Sequence, residues 1–218
     1  MARKRKNRLI RLVLLILIIA ALLSLRYWEE LGQEPTATSR WTIVKVLDGD
    51  TVELLGGEKL RLLSVDCPEI DQPFYDHATD LVRTVTLGKT ARVEFSGAQR
   101  DKYGRLLGYL FVDDTLFVNK MLIDSGLASL YLFADTELGT PSANLLFAAQ
   151  RDAIDRGNGI WSLERAGEPF YLSTSRSFRF HRPGCRHIAN TPPDRLDRYA
   201  SRLDACRDGL SPCRTCQP

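Results

Sequence analysis

Hydrophobic positions first concentrate near the amino terminus, where Leu12 to Leu25 (LVLLILIIAALLSL) runs fourteen residues without a charge behind a basic block. At ~1.5 Å per residue this run reaches ~21 Å, short of the ~30 Å hydrocarbon slab of a bilayer. Length alone suits the core of a signal peptide. Leu9 and Ile10 lengthen the run if Arg11 snorkels, Tyr27 and Trp28 suit an interfacial belt, and no small-residue cleavage site follows. The pattern therefore predicts an uncleaved membrane helix within residues 1–28. Its positive end stays inside, so the bulk of the chain is membrane-anchored and extracytoplasmic; the alternative is secretion after signal cleavage. Residues 29–40 (EELGQEPTATSR) are polar and aperiodic and read as a linker.

Beyond the linker the pattern changes to short β-branched runs. Trp41 to Leu47, Thr51 to Leu55, Lys59 to Val65, Ala91 to Phe95 and Leu106 to Val112 read as five strands, the second and third joined through Gly56-Gly57-Glu58. Helical spacing covers Tyr75 to Val85, Val118 to Leu127 before Gly126, and Ser142 to Asp155 before Gly157. Five short strands with interleaved helices predict an α+β, mainly β fold: a five-stranded Greek-key barrel of the OB type with covering helices.

A length of 218 residues allows one ordinary domain plus an appendage and excludes a large multidomain machine. With 26% charged and 44% hydrophobic residues the chain is neither disordered nor fibrous. Charge divides it. Six of the basic residues lie in the first eleven positions, residues 12–164 carry a balance of −8, and residues 165–218, with ten Arg and no Lys, carry +5. The central segment therefore cannot grip a polyanion by bulk attraction. It needs a cation and a few aimed arginines. The domains predicted are the anchor (1–28), the linker (29–40), the barrel (41–164) and an Arg-rich module (165–218).

Four polar clusters punctuate the barrel: Asp48-Gly49-Asp50-Thr51, Arg61 to Val65, Asp66-Cys67-Pro68-Glu69, and Asp101-Lys102-Tyr103-Gly104-Arg105. On an unbroken strand Arg61, Leu63 and Val65 share one face. A guanidinium among apolar neighbours calls for a carboxylate or an anionic ligand. Asp48 is open to two readings, a turn residue bonding to its own backbone or a support for a metal ligand.

In this order DGDT, RLLSVDCPE and DKYGR, followed by GLASLY from 126 and GIWS from 159, resemble the staphylococcal nuclease family over residues 41–163. The resemblance implies a Ca²⁺-dependent phosphodiesterase acting on DNA and RNA and leaving 3′-phosphate and 5′-hydroxyl ends. It implies Asp50, Asp66 and the main-chain carbonyl of Cys67 as calcium ligands, Glu69 as general base, and Arg61 and Arg105 as phosphate clamps. Lys102, Tyr103 and Tyr131 correspond to substrate contacts, Tyr131 with a one-residue ambiguity in alignment. The family pattern commonly has Thr at the position of Cys67. The chemistry agrees, because Ca²⁺ takes oxygen ligands and two carboxylates with a carbonyl leave room for phosphate and water. A non-catalytic nucleic-acid-binding barrel is the alternative that the fold also permits. Nothing in the pattern implies a protein partner.

Four of the five cysteines fall in the module. Cys213 and Cys216 form a C-x-x-C knuckle, and His181 and Cys185 supply a second pair, a set that suits tetrahedral Zn²⁺. FHRPGC and SPCRTCQP resemble the metal-binding domains of Ada-type DNA repair proteins, whose ligands are often all cysteine. His187 or Cys206 could therefore replace His181, and an oxidising compartment could instead pair the thiols as disulfides. The basic charge suggests that the module holds nucleic acid near the acidic barrel; a purely structural cap or a protein-docking unit is the alternative.

Overall fold

A computed structural model describes residues 15–20, 38–132, 139–175 and 177–218 of the chain. Residues 15–20 are helical with exposed side chains, and the remainder of the predicted anchor lies outside the described residues. Among the described residues no helix is long and apolar enough to cross a membrane. Residues from Ala37 to Pro218 form one compact unit, separate from Met1–Thr36.

The barrel strands are β1 (Thr38–Val46), β2 (Thr51–Leu54), β3 (Lys59–Leu62), β5 (Thr90–Glu94) and β6 (Leu106–Val112), with β4 (Val65–Asp66) between β3 and β5 in the chain. They pair in the order β3-β2-β1-β5-β6, and a parallel β3–β6 ladder closes the ring. A fully closed barrel leaves few strand edges to aggregate. The short β7 (Leu116–Phe117) extends β6, and β8 (Ser129–Leu130) pairs with β4. Around the barrel lie α1 (Tyr75–Thr86), α2 (Val118–Asp124) and α3 (Pro141–Arg156). Leucine, valine and isoleucine side chains from these elements, including Ile43, Leu60, Leu62, Leu110 and Leu122, fill one core.

Two expectations need correction. Thr38, Ser39 and Arg40 belong to β1 and not to a linker, because they pair with Glu94, Val93 and Arg92 of β5. The run Lys59 to Val65 is two strands and not one. Ser64 takes a left-handed φ of 62°, so the side-chain alternation expected from Arg61 through Val65 ends at Leu62. Distant residues hold this bend: the Ser64 hydroxyl lies 3.0 Å from the Tyr109 hydroxyl, and Asn119 donates to the Leu63 carbonyl at 2.8 Å while accepting from the Leu110 amide at 3.0 Å. The bend turns Asp66 toward the end of β3.

Residues 165–218 form a four-stranded sheet, order β11-β9-β10-β12, from β9 (Tyr171–Thr174), β10 (Arg179–His181), β11 (Leu196–Tyr199) and β12 (Ser211–Pro212). A short helix, α4 (Arg202–Arg207), is closed by a Ser201–Asp204 capping box. The module is joined to the barrel through a shared core. Ala153, Ile154 and Trp161 pack with Tyr171, Phe180, Ala205 and Cys206. Gln150 of α3, buried, bonds to both sides, accepting from the Leu130 amide and donating to the Cys206 carbonyl, each at 2.6 Å. Gln150→Leu leaves these two buried backbone groups without partners, so it should cost about 1–3 kcal/mol for each. Urea unfolding of the variant measures this loss; a midpoint equal to that of the parent would show that Gln150 does not fasten the module.

Candidate active site

Backbone geometry assembles the site from the ends of β1, β3, β4 and β6. At the turn after β1 the Asp48 carboxylate accepts from the Asp50 amide at 3.0 Å, the side-chain turn that is one of the two readings of Asp48. Gly49 is required by close approach: a Cβ there would stand 2.8 Å from Ala78 Cβ and 2.9 Å from Cys67 Cβ. Register then sets Thr51 opposite Arg61 on β2 and β3, and Arg61 opposite Leu107 on β6, one residue beyond Leu106 that follows Arg105.

The side chains form a continuous chain of contacts. Arg105 donates to Thr51 Oγ1 at 3.4 Å, and Thr51 donates to Asp50 Oδ1 at 3.1 Å. Arg61, 5% exposed, stands between two carboxylates, with Nη2 3.0 Å from Asp50 Oδ2 and 3.1 Å from Asp66 Oδ1, while Nη1 donates to the Leu62 carbonyl. This answers the guanidinium's need for a counter-charge. Asp50 also accepts from the Cys67 amide at 3.1 Å. Asp50, Asp66, Arg61 and Arg105 therefore stand in one connected cluster. Glu69 is exposed and lines the same cavity as Asp66 and Cys67; its amide donates to Gln72, so the turn is fixed by backbone and not by the Glu69 carboxylate.

Electrostatics leave this cluster short of positive charge. Burial pushes Asp50 up to about 7, although the Arg61 guanidinium acts in the opposite direction, and Asp48 and Asp66 add to the rise. Buried Arg61, with Arg214 reaching Asp66 from the module, supplies two positive charges against the three carboxylates Asp48, Asp50 and Asp66. A divalent cation on Asp50 and Asp66 would supply the deficit, and the hard oxygen donors fit calcium, with the Cys67 carbonyl as a further oxygen. The Cys67 thiol is buried and its pKa is raised well above the ordinary range, chiefly by that burial. It is therefore an inert packing group against Gly49.

Asp101 is a positioning residue that the motif reading assigned no role. Its carboxylate accepts from Arg105 Nε at 2.8 Å and from the Arg105 and Tyr103 amides. Burial alone would raise it, but these bonds hold it below its ordinary value. The Tyr103 ring is 72% exposed, with Lys102 Nζ 5.0 Å and the Arg105 guanidinium 5.5 Å from its centre. Such an open ring beside a guanidinium can stack on a planar ligand. Tyr131 is placed differently. Its ring is covered by the guanidiniums of Arg179 at 3.7 Å and Arg214 at 5.0 Å, both from the module.

In the module the ligand atoms of His181, Cys185, Cys213 and Cys216 all lie within 4.8 Å of one another. A tetrahedron around Zn²⁺ with bonds near 2.3 Å has edges of about 3.8 Å, so the set fits. Burial, His187 and Arg179 lower the His181 pKa, which favours the neutral imidazole that ligation needs. His187 is not in the cluster; it is 2.8 Å from the Thr215 hydroxyl. Cys206 is buried in the core shared with the barrel, and all five cysteines are free thiols.

Residues 59–163 match the family of staphylococcal nuclease homologues. An uncharacterized endonuclease of Escherichia coli is 34% identical over 123 residues, 55% of this chain and 75% of that protein. The succinoglycan biosynthesis protein ExoI of Rhizobium meliloti is 34% identical over 152 residues, covering 64% and 72%. The thermonuclease of Staphylococcus hyicus is 30% identical over 131 residues, covering 52% and 77%.

Proposed function

The chain belongs to the staphylococcal nuclease homologue family and is a nuclease, a hydrolase of phosphodiester bonds, and on that premise we propose that it cleaves DNA and RNA with Ca²⁺ at this site. The observation that carries the reading is the convergence of two carboxylates on Arg61, with Arg105 joined through Thr51 and Glu69 on the same cavity. Asp50, Asp66 and the Cys67 carbonyl would hold the ion. Bound there, calcium polarises a phosphoryl oxygen and orders a water.

The protein's own groups do the rest. Arg61 and Arg105 bind phosphate oxygens by charge-assisted bonds that strengthen as negative charge builds in the transition state. Glu69 takes a proton from the attacking water, which suits its exposed carboxylate at the cavity wall. Tyr103 and Lys102 steady the nucleotide. In-line attack of the water oxygen forms the new P–O bond as the bond to the 5′-oxygen breaks; that oxygen takes a proton from solvent and leaves as a 5′-hydroxyl, and the phosphate stays on the 3′-oxygen. Zinc in the His181, Cys185, Cys213 and Cys216 cluster fixes the fold of the Arg-rich module, which draws nucleic acid toward the acidic barrel. The basic block with Leu12 to Leu25 anchors the chain in a membrane, with the barrel and module outside the cytoplasm.

The test is cleavage of labelled DNA and RNA by the full chain after dialysis against a calcium chelator. Activity should return with added Ca²⁺, and elemental analysis should find about one zinc per chain. Equal activity with and without calcium would refute the calcium reading. A zinc-free protein with all four module ligands oxidised or unbound would refute the zinc assignment.

A further inference from the structure

The knuckle that carries two zinc-type ligands also carries an arginine, and that arginine does not face solvent alone. Arg214, between Cys213 and Cys216, places Nη2 3.1 Å from Asp66 Oδ1, the same carboxylate oxygen that Arg61 approaches. Its guanidinium lies 5.0 Å from the Tyr131 ring, which is held in turn by Arg179. Burial disfavours its charge, but Asp66, Tyr131 and Glu69 together stabilise it. A residue 148 positions along the chain from Asp66 thus stands inside the nuclease site.

The surroundings extend this charge. Asp66, Glu69, Glu164, Arg165, Arg202 and Arg214 line one cavity of ≈ 670 Å³ between barrel and module. Among the described residues Arg165 and Arg202 make no ion pair with an acidic side chain, although Arg202 Nε donates to the Pro218 oxygen at 3.3 Å, and Arg214 pairs with Asp66. Arg165 and Arg202 are near enough that, after burial, the charge of Arg202 is the main influence lowering the pKa of Arg165. Two guanidiniums lining one cavity, neither in an ion pair with an acidic side chain, can receive an anion, and guanidinium geometry matches phosphate oxygens bidentately. Bulk attraction is a poor alternative, because the barrel beside them is acidic.

We infer that this cavity is a phosphate subsite for the nucleic-acid strand next to the scissile bond, with Arg214 joining it to the active site and Arg165 and Arg202 binding further along the backbone. The module is then part of the substrate site. This rests on the nuclease reading above, since it names where the same substrate continues. The position of Arg214 explains why a knuckle would be used: ligation of both flanking cysteines fixes the backbone of the residue between them, which keeps a long side chain aimed at Asp66.

The experiment is anisotropy of a labelled single-stranded 12-mer bound to the full chain, in the Glu69→Gln background with Ca²⁺ and across a salt series. Arg214→Ala, Arg165→Ala/Arg202→Ala and the triple variant are compared with it. Each lost phosphate contact should weaken binding by about tenfold and reduce the slope of log K against log salt by about 0.7, so the triple variant falls by about 2. Lysine at the same three positions should restore the slope, because it keeps the charge, without the full affinity. An unchanged slope in the triple variant, with the parent chain cleaving and binding normally, overturns the subsite alone. A parent chain that neither cleaves nor binds the strand in Ca²⁺ overturns the nuclease reading, and the subsite with it.

Discussion

Glu69→Gln lowers kcat by about 10²- to 10⁴-fold, the usual contribution of a positioned general base. Glutamine keeps the shape of the side chain but cannot take a proton from water. The local fold should survive, because the turn is fixed by the Glu69 amide to Gln72 Oε1 at 2.9 Å and by the Gln72 amide to the Glu69 carbonyl at 3.0 Å. The check is single-turnover cleavage of a DNA oligonucleotide at saturating calcium, together with a melting temperature close to that of the parent. Loss of less than about threefold would remove Glu69 from the proton transfer and leave it only a wall of the cavity.

Arg61 gives the second large effect, and it separates charge from geometry. Arg61→Lys retains one positive charge but cannot bond Asp50, Asp66 and the Leu62 carbonyl from one planar fork. The expected loss is about 10²- to 10³-fold in kcat, the scale of removing one preorganised donor from a developing oxyanion. Arg61→Ala goes further. It leaves two carboxylates, one of them 8% exposed, without their common cation, and breaking such a buried pair costs about 3–5 kcal/mol of stability. Added calcium should recover part of that stability, because a ligand that binds only the folded state shifts the equilibrium toward it. Denaturant unfolding of Arg61→Ala with and without Ca²⁺ measures both. A variant as stable as the parent in the absence of calcium would show that Arg61 does not neutralise the cluster.

The parts of this site that local sequence determines were readable from it. Asp50 and Asp48 belong to one tight turn between strands, Arg105 follows the Asp101 turn, and each is set by residues within a few positions. The end of α3 was also readable where a residue type enforces it, at Gly157, whereas its start at Pro141 behind the Thr140 cap lies one residue before the expected Ser142. What failed was set by residues far away. The run Lys59 to Val65 is hydrophobic enough to continue as one strand, and distant residues, among them Tyr109 and Asn119, 45 and 56 positions from the groups they bond, hold it bent. Thr38 to Arg40 have the polarity of a linker and become strand because β5 offers them partners.

The two-residue strands β4 and β8 are too short to show a period at all. Gln150 carries no local signal of its buried role, which depends on its bond to the Cys206 carbonyl 56 positions away. Arg214 is not legible in the sequence for a different reason. A C-x-x-C knuckle directs attention to its two sulfurs, whereas the function of the intervening arginine appears only when the knuckle is set beside Asp66. The signal that could have found it is the concentration of arginine around the cysteines in a segment without a single lysine.

Titration calorimetry of calcium into the metal-free chain addresses the cluster itself. One ion should bind per protein, and binding should be lost or weakened at least about 100-fold in Asp50→Asn and Asp66→Asn while Arg105→Ala still takes up calcium, since a ligand carboxylate is lost in the first two and only a phosphate contact in the third. Calcium affinity unaffected by both asparagine variants would mean that the carboxylates gathered around Arg61 hold no metal.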